Sequence, residues 1–476
     1  MKDNTEMEKK PEILDELWKL LAGMRAGYGQ ERTYRRAIAM VLGELFNLGR
    51  HTVTQMLRSL GLVAEDWSAW YRMFSAGRFD EGELGGELVR ETVTHVGETE
   101  PYVVTVDGVR ITRSGKQVAG SSWWPAPNTA YFKRGLTRAQ RFVEVAWLTP
   151  EEGSYCRAIP LRWLPAVTEK AVASSAAPCK EWEAGLNSLH WVRGQLDRQG
   201  RANQRLVGVA DGSYDTQGIW QDLPANTTLL VRCAKNRKLL AMPPAAQLTG
   251  QRGRPKVYGP QLPTPQQALH PRRSLQTIQL TIRGRERVLR YKVVGPVVLE
   301  TVPDCPLFLL VIGGHSWVHG QKRKYYTPAY YLVNAVQENG TWHLPFPVAT
   351  LLGWAWQRWE CEVAHRDMKS ALRIDDKQCW GQHSALAAVQ FGVWVYAVCV
   401  LAGYRTWGLT AGPRRQGRWY PHARRWSFSA LRQAVQADLW QLADFHPLYL
   451  RSLDNWLKTD LWRTGLANAL ADSAHI

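Results

Sequence analysis

Three acidic residues stand in sequence contexts that suit metal-dependent chemistry on phosphate esters. Asp107 follows the apolar run Tyr-Val-Val-Thr-Val, and Asp211 follows Leu-Val-Gly-Val-Ala. Glycine comes after each aspartate, so we expect both to lie where a strand gives way to a loop. Glu362 lies in a charged run that predicts a later helix. Three such carboxylates can hold two divalent ions about 4 Å apart, which clamp the attacking and leaving oxygens of a phosphodiester.

The predicted helix around Glu362 carries cations on the same side as the acid. At helical spacing that side holds Arg358, His365, Arg366 and Lys369. Arginine grips phosphate oxygens through two donors, and lysine binds them as a point charge. A solvated, salt-bridged helix would carry similar charges. Nearby tryptophans are costly on such a helix, and this segment has three: Trp354, Trp356 and Trp359.

Neighbouring acids on the same helix fit a metal site less well. Glu360 points about 200° away from Glu362 around a helix, so the two side chains cannot face the same ions. Asp367 is also on a different face from Glu362. We therefore predict that Glu362 is the third carboxylate of the site.

These motifs resemble a known family. Arg358-x3-Glu362-x6-Lys369 matches the R-x3-E-x6-K part of the YREK signature of many insertion-sequence transposases of the DDE class. Asp107 in Thr-Val-Asp-Gly resembles the first acid of that family, and Asp211 in Val-Ala-Asp-Gly-Ser-Tyr-Asp resembles the second. The similarity covers roughly residues 30–405.

One position departs from the signature. Family members usually carry tyrosine three residues before the arginine, and this chain has Ala355 there. The change affects an expected contact with the DNA backbone and leaves the three acids in place.

The resemblance implies an RNase H-like core in which Asp107, Asp211 and Glu362 hold two Mg²⁺ ions, with Mn²⁺ as a substitute. It implies a cut-and-paste transposase, which cleaves transposon ends and then joins the freed 3′-hydroxyl to target DNA. The implied partners are double-stranded DNA, as terminal repeats and as target, and a second copy of the chain on paired ends. Arg358 and Lys369 are the expected phosphate contacts. The alternatives are a catalytically idle DNA-binding descendant and an RNase H-like nuclease without strand transfer.

The elements that position these residues begin with a helical region, residues 1–95. A helical pattern over Thr33 to Leu48, a break at Gly49 and a short helix capped by Thr52 resemble a helix-turn-helix. A plain helical bundle fits equally well. In a helix-turn-helix the second helix enters the major groove. Its candidate DNA contacts are then Arg50, His51, Thr54, Gln55 and Arg58.

The rest of the chain predicts an α/β fold. Strand-like and helical patterns alternate over residues 96–235, which indicates a sheet flanked by helices, and this core resumes over residues 341–405. Between them, residues 236–340 read as a β-rich insertion. Residues 406–476 read as a basic linker followed by C-terminal helices.

Two basic motifs in the insertion suit DNA contact. Arg252-Gly-Arg254-Pro resembles a core that lies in narrow A·T-rich minor grooves, although a basic surface turn has the same composition. Lys322-Arg-Lys-Tyr-Tyr interleaves cations with aromatics, which suits a distorted or unpaired strand. Trp317 and Trp342 are candidates to stack on an extruded base.

The overall charge favours a polyanionic partner. The 476 residues carry 60 Lys and Arg against 42 Asp and Glu, a net charge of +18. Such an excess supplies the sequence-independent part of nucleic-acid affinity. A merely basic protein is the alternative that charge alone leaves open.

Cysteine usage and the apolar segments bear on location. The seven cysteines are scattered without a CxxC pair, which argues against a zinc ribbon or a disulfide framework and suits a reducing cytosol. The charged first ten residues lack an apolar signal region. Ala385 to Gly403 is barely long enough to cross a membrane, and we expect a buried core helix instead. We therefore expect a bacterial cytoplasmic protein, associated with the nucleoid when bound to DNA and not with a membrane.

Overall fold

The computed structural model describes residues 13–47, 49–126, 135–243, 257–319, 322–414 and 424–441. The Arg252–Arg254 motif lies outside these residues.

The N-terminal region is helical. Its α-helices are α1 Ile13–Gly23, α2 Glu31–Phe46, α3 Val53–Ser59, α4 Ser68–Ser75 and α5 Glu81–Val93. Thr52 caps α3, since its side chain accepts a hydrogen bond from the amide of Gln55 at 3.2 Å. The buried faces of these helices belong to the same hydrophobic cluster as the central strands, so this region packs onto the rest of the fold.

The next segment builds the centre of a sheet. Its elements are β1 Tyr102–Thr112, β2 Ser121–Pro125, β3 Leu136–Leu148, β4 Ala158–Pro165, α6 Glu181–Arg198, β5 Leu206–Ala210, α7 Gln217–Gln221 and β6 Thr227–Arg232. The strands lie in the order β4-β3-β1-β5-β6. Strand β3 is antiparallel to both β1 and β4, whereas β1, β5 and β6 run parallel. All five residues of β5 are buried, as a strand covered on both faces requires.

The following region is rich in strands and extends the same sheet. Its elements are β7 Leu240–Ala241, α8 Pro265–Ala268, β8 Gln276–Ile282, β9 Arg285–Leu299, β10 Val302–Ile312, β11 His315–His319, β12 Lys322–Tyr326, β13 Ala329–Asn334, β14 Val336–Glu338 and β15 Thr341–His343. Strand β13 pairs with β6, and β10 and β9 follow outward. The described residues thus form one 11-stranded sheet and two separate two-stranded sheets.

Four helices complete the described chain: α9 Val348–Gln357, α10 Trp359–Ser370, α11 Ser384–Trp407 and α12 Phe428–Gln441. Short 3₁₀ helices occur at Met24–Gly27, Gly212–Tyr214, Arg272–Ser274 and Ile374–Asp376. Helix α11 is long and apolar enough to cross a membrane, yet 94% of its most apolar window is buried inside the protein. It is the buried core helix that the sequence predicts.

Two buried ionic clusters hold α10 and the loop that follows it. The turn between β8 and β9 places Arg283 against Glu360, whose other oxygen accepts from Arg425 at 2.7 Å. Beyond α10, the amine of Lys377 donates to Glu44 of α2 at 2.9 Å, and both side chains are fully buried. Helix α10 is therefore anchored to the β-rich region, and the loop after it to the N-terminal helices.

Candidate active site

The register of two parallel strands brings the first two acids together. Pairing between β1 and β5 ends at Val106 and Ala210, so Asp107 and Asp211 leave the paired segment side by side. Asp211 ends its strand as predicted and starts a 3₁₀ turn, where its Oδ1 accepts from the amide of Ser213 at 2.8 Å.

The predicted strand end at Asp107 is wrong. Strand β1 continues to Thr112 because it stays paired with β3, and Asp107 lies opposite Glu144 in that register. Only the pairing with β5 stops at Val106. Asp107 therefore sits within a strand at the point where its parallel neighbour turns away.

The third acid reaches the first through Arg358, which lies at the junction of α9 and α10. One guanidinium nitrogen donates to Asp107 Oδ2 at 2.9 Å, and another donates to Glu362 Oε1 at 3.0 Å. The side chain of Glu362 is 35% exposed and that of Asp107 is 13% exposed. We call Asp107, Asp211, Glu362 and Arg358 the acid site, in which one cation is shared by two of three carboxylates.

The electrostatics of the acid site leave negative charge uncompensated. Burial raises the pKa of Asp107, and the nearby carboxylates of Asp211 and Glu144 raise it further, while Arg358 opposes the shift. The hydroxyl of Tyr214 is buried without a hydrogen-bond partner in the described structure. Burial raises the pKa of Tyr214, with further contributions from Asp107 and Asp211. A cation bound among these acids would relieve their mutual repulsion.

Behind Asp107 lies a buried cluster that the sequence analysis missed. Glu144 is fully buried and accepts from Trp163 Nε1 at 2.6 Å, from the thiol of Cys361 at 2.9 Å, and faces His365 Nε2 at 3.3 Å. Burial opposes ionisation of Glu144, but His365 and these donors lower its pKa overall. The available signal was a single glutamate within the otherwise apolar residues 142–148 of β3.

The cationic residues predicted on α10 separate into different environments. His365 is 11% exposed and faces Glu144, so its ring lies in the interior beside the sheet. Arg366 is 69% exposed and pairs with Asp367 at 3.2 Å. Burial lowers the pKa of Lys369. Arg358 already binds two acids. Of the four cationic residues, Arg366 is therefore the one whose side chain is exposed to solvent.

Two sets of described residues could bind a metal: the acid site, and a group formed by Asp107, Cys361 and His365. Ligand atoms of Asp107, Cys361 and His365 lie within 4.8 Å of one another. However, burial raises the pKa of Cys361 well above its ordinary value, and the protonated thiol donates to Glu144. A metal ligand must be a thiolate. The acid site offers carboxylate oxygens, the donors that Mg²⁺ prefers, and it fits a divalent ion better.

Comparison with known families agrees with this chemistry. The family described as DDE superfamily endonuclease matches residues 22–291, more than half of the chain. The chain belongs to this family. It is thus a nuclease of the DDE class, with DNA as the substrate class and a divalent metal as the group's normal cofactor. The matched segment contains Asp107 and Asp211 and ends before Glu362. No curated protein sequence matches the chain.

Other acids of the DDE endonuclease lie away from the acid site. Glu360 is 3% exposed and bound to Arg283 and Arg425, as its predicted position on a different helix face requires. Asp367 pairs with Arg366. Asp215, four residues after Asp211, accepts from Trp220 Nε1 at 3.0 Å and pairs with Arg237 at 3.1 Å.

The position that lacks the signature tyrosine is part of the hydrophobic core. Ala355 is 7% exposed and packs with Leu351 and Leu352 in the cluster between α9 and the sheet. Trp354, beside it, packs edge-on against Phe346 with ring centres 4.9 Å apart. A larger side chain at residue 355 would need space that this packing fills.

The N-terminal candidates for DNA contact also differ in exposure. Arg50 is exposed and Arg58 is partly exposed. His51 is 2% exposed, and its ring bonds to Glu44 at 3.0 Å, so its side chain faces the interior. Thr54 bonds to Tyr71 at 2.6 Å.

Proposed function

We propose that this DDE endonuclease is a DNA transposase that cleaves transposon ends and transfers the freed 3′ strand into target DNA, in cut-and-paste transposition. The observation that carries the proposal is that Asp107 and Glu362 share Arg358, while the end of the β1–β5 pairing brings Asp211 beside Asp107. Such a carboxylate set suits phosphodiester chemistry with divalent ions.

The strand order supports an RNase H-like core. Strands β1, β3 and β4 are antiparallel neighbours, with the short strand β2 also paired to β3, and β5 and β6 add in parallel on the other side of β1. The chain between β6 and α9 adds further strands before returning with Glu362, as expected for a β-rich insertion before the third acid.

We propose that Asp107, Asp211 and Glu362 hold two Mg²⁺ ions, for which Mn²⁺ can substitute. When bound, the ions would activate the attacking oxygen and stabilise the leaving one. Arg358 holds the side chains of Asp107 and Glu362 in place, because its guanidinium bonds to both. The Glu144–His365 pair holds α10 against β3 directly behind Asp107.

The remaining basic residues are proposed to hold DNA. Phosphate contacts near the acid site would come from Lys369 and Arg366, and from Arg358 once a metal replaces it on the acids. Further contacts would come from Arg50 and Arg58 of the helix-turn-helix-like segment and from Arg252 and Arg254. The net charge of +18 supports such an extended contact. A homodimer on paired ends and a bacterial, nucleoid-associated location follow from the family resemblance.

A single reaction separates this proposal from its alternatives. Purified protein is incubated with a labelled duplex of its element end, a target plasmid and Mg²⁺. Cleavage followed by covalent joining of the 3′ end to the plasmid is the expected result. Cleavage without joined product would indicate a nuclease that lacks strand transfer. Binding with no cleavage in Mg²⁺ or Mn²⁺ would indicate an idle DNA-binding descendant.

A further inference from the structure

The N-terminal helical region carries four arginines outside the acid site and outside the DNA contacts proposed around α3. Arg32 and Arg36 lie four residues apart on α2, Arg72 lies in the last turn of α4, and Arg78 follows α4. Side chains four residues apart on a helix are neighbours, so Arg32 and Arg36 share one side of α2. We call these four residues the arginine cluster.

Backbone contacts bring Arg78 beside both α2 and α4. Tyr28 and Phe79 pair in a β-bridge, which places Arg78 next to the start of α2. The amide of Arg78 donates to the carbonyl of Met73 at 3.3 Å, so the chain folds back onto the last turn of α4. The two helices that carry the other three arginines therefore meet at Arg78.

The charges of the cluster repel one another. Burial lowers the pKa of Arg36, and the other three arginines of the cluster lower it further. Among the described residues, those three are the charged groups that act on this guanidinium. Their positive charges therefore lie close to that of Arg36, and a bound anion would relieve the repulsion.

Two members of the cluster are held by uncharged oxygens. Arg32 Nε donates to Gln30 Oε1 at 2.9 Å, and Arg72 Nε donates to the carbonyl of Ser68 at 3.3 Å. Both arginines are exposed. A guanidinium has five N–H donors, so one such bond orients the group and leaves donors for a ligand. Phosphate oxygens accept from arginine through two parallel bonds of this kind.

Nearby acids neutralise the cluster only in part. Glu31 already binds two arginines outside the cluster, at 2.6 and 2.9 Å. Asp66 and Asp80 are exposed, and their carboxylates accept from backbone amides at the starts of α4 and α5. Asp66 also lies within electrostatic reach of Arg72. The arginines outnumber these aspartates, so the cluster keeps an excess of positive charge, which favours a polyanion.

Helix α3 is less accessible to DNA than the cluster. None of its seven described residues is exposed, and four of them are buried. A recognition helix must present several side chains to base edges. The exposed arginines of the cluster, Arg32 and Arg72, can meet a duplex without any rearrangement of these helices.

We propose that the arginine cluster binds phosphates of the duplex DNA backbone and holds the duplex without reading its sequence. Arg32 and Arg72 contact phosphates at the surface, and the partly buried Arg36 and Arg78 add charge beside them. Phosphate contacts position a duplex, whereas contacts with base edges specify sequence. The proposal rests on the proposed function in taking DNA as the ligand, but it requires neither cleavage nor strand transfer.

The test measures equilibrium binding of duplex DNA in EDTA over a range of NaCl concentrations. Two unrelated duplexes of about 20 base pairs, roughly two helical turns, are used. We expect Arg32→Gln/Arg72→Gln to bind both at least about tenfold more weakly than wild type at low salt. The plot of the logarithm of the association constant against that of the salt concentration should become shallower by about 2, because each lost phosphate contact removes about one released counterion.

Two further variants complete the design. Arg32→Lys/Arg72→Lys keeps both charges and should retain most of the affinity and of the salt dependence. Lys170→Gln/Arg198→Gln removes two charges from exposed positions outside the cluster and should bind like wild type. Thermal midpoints check the fold. The midpoint of Arg32→Gln/Arg72→Gln should not fall below that of wild type, because the substitutions relieve repulsion.

Four outcomes would overturn the proposal. They are unchanged binding by Arg32→Gln/Arg72→Gln, an equal loss in Lys170→Gln/Arg198→Gln, a loss confined to one of the two duplex sequences, and a thermal midpoint of Arg32→Gln/Arg72→Gln well below that of wild type. Each would mean that the cluster does not serve as a sequence-independent phosphate site.

Cleavage of the element end in Mg²⁺ by the same preparations separates this proposal from the proposed function. Cleavage by wild type, with unchanged duplex binding by Arg32→Gln/Arg72→Gln, would reject the cluster and keep the endonuclease assignment. Weaker binding by that variant, with no cleavage by wild type, would keep the cluster and reject the catalytic assignment.

Discussion

Helix α10 presents two glutamates whose surroundings differ in one decisive respect. Glu360 is 3% exposed and has two arginine partners, Arg283 and Arg425. Glu362 is 35% exposed and shares one arginine, Arg358, with Asp107. The first carboxylate is fully neutralised inside the protein, whereas the second belongs to a set with more acids than cations. The contrast indicates a structural role for Glu360 and agrees with the catalytic role that we propose for Glu362.

The same substitution should have a large effect on stability at Glu360 and almost none at Glu362. Glu360→Gln leaves Arg283 and Arg425 without their counter-charge, and we expect it to lower the free energy of unfolding by about 3 kcal/mol. Glu362→Gln removes a half-exposed charge from a repulsive group and should change stability by less than about 0.5 kcal/mol. Thermal midpoints in EDTA measure both. Equal destabilisation by the two variants would contradict the different roles assigned to Glu360 and Glu362.

The Glu144–His365 pair should give the fold a measurable pH dependence. The folded protein raises the pKa of His365 above its ordinary 6.5, because Glu144 outweighs the effect of burial, and it lowers the pKa of Glu144 below 4.5. The ionic pair therefore stabilises the fold between these two values. Its contribution is lost as pH rises through the raised pKa of His365, or falls through the lowered pKa of Glu144.

We expect this pair to contribute about 1–3 kcal/mol where both groups are charged. The thermal midpoint of wild type should then fall as the pH rises above 6.5. In His365→Gln that part of the pH dependence should disappear. A wild-type midpoint that rises over the same range, relative to His365→Gln, would contradict the assigned pair.

Arg358 and a divalent metal would compete for the same carboxylates, Asp107 and Glu362. Removal of Arg358 should have a small effect on stability and a clear effect on metal binding. Arg358→Gln should cost about 1 kcal/mol of stability in EDTA, through renewed repulsion between Asp107 and Glu362. Since the competing cation is gone, Mg²⁺ should raise the thermal midpoint more than in wild type. A smaller Mg²⁺ effect would mean that Arg358 assists metal binding rather than competing with it.

Some of this organisation could be read from the sequence. The apolar runs before Asp107 and Asp211 predicted two strands, and the charged run predicted the helix that carries Glu362. The extension of β1 to Thr112 was missed because it depends on pairing with β3, which local pattern does not reveal. The inward orientation of His365 was missed for the same reason, since its partner Glu144 is more than two hundred residues away in sequence.

The β-rich region gives a second example. Its strands follow apolar patterns that can be recognised locally, but their attachment to β6 and the contact of Arg283 with Glu360 are long-range. No local signal distinguishes an arginine in a surface turn from one that anchors a helix. The ends of α9 and α10 at Arg358 were also not predicted, because helical spacing continues through that residue.

The most direct test of the account is Mg²⁺-dependent DNA cleavage by wild type, Glu362→Gln and the matched control Asp367→Asn. Asp367 lies on α10 outside the acid site, so the control changes one carboxylate of the same helix in the same way. We predict that Asp367→Asn cleaves like wild type. Glu362→Gln should lose at least about 10³-fold in rate, because several kcal/mol of metal-supplied stabilisation are lost. Wild-type cleavage by Glu362→Gln, or equal loss in both variants, would contradict the assignment of Glu362 to the metal site.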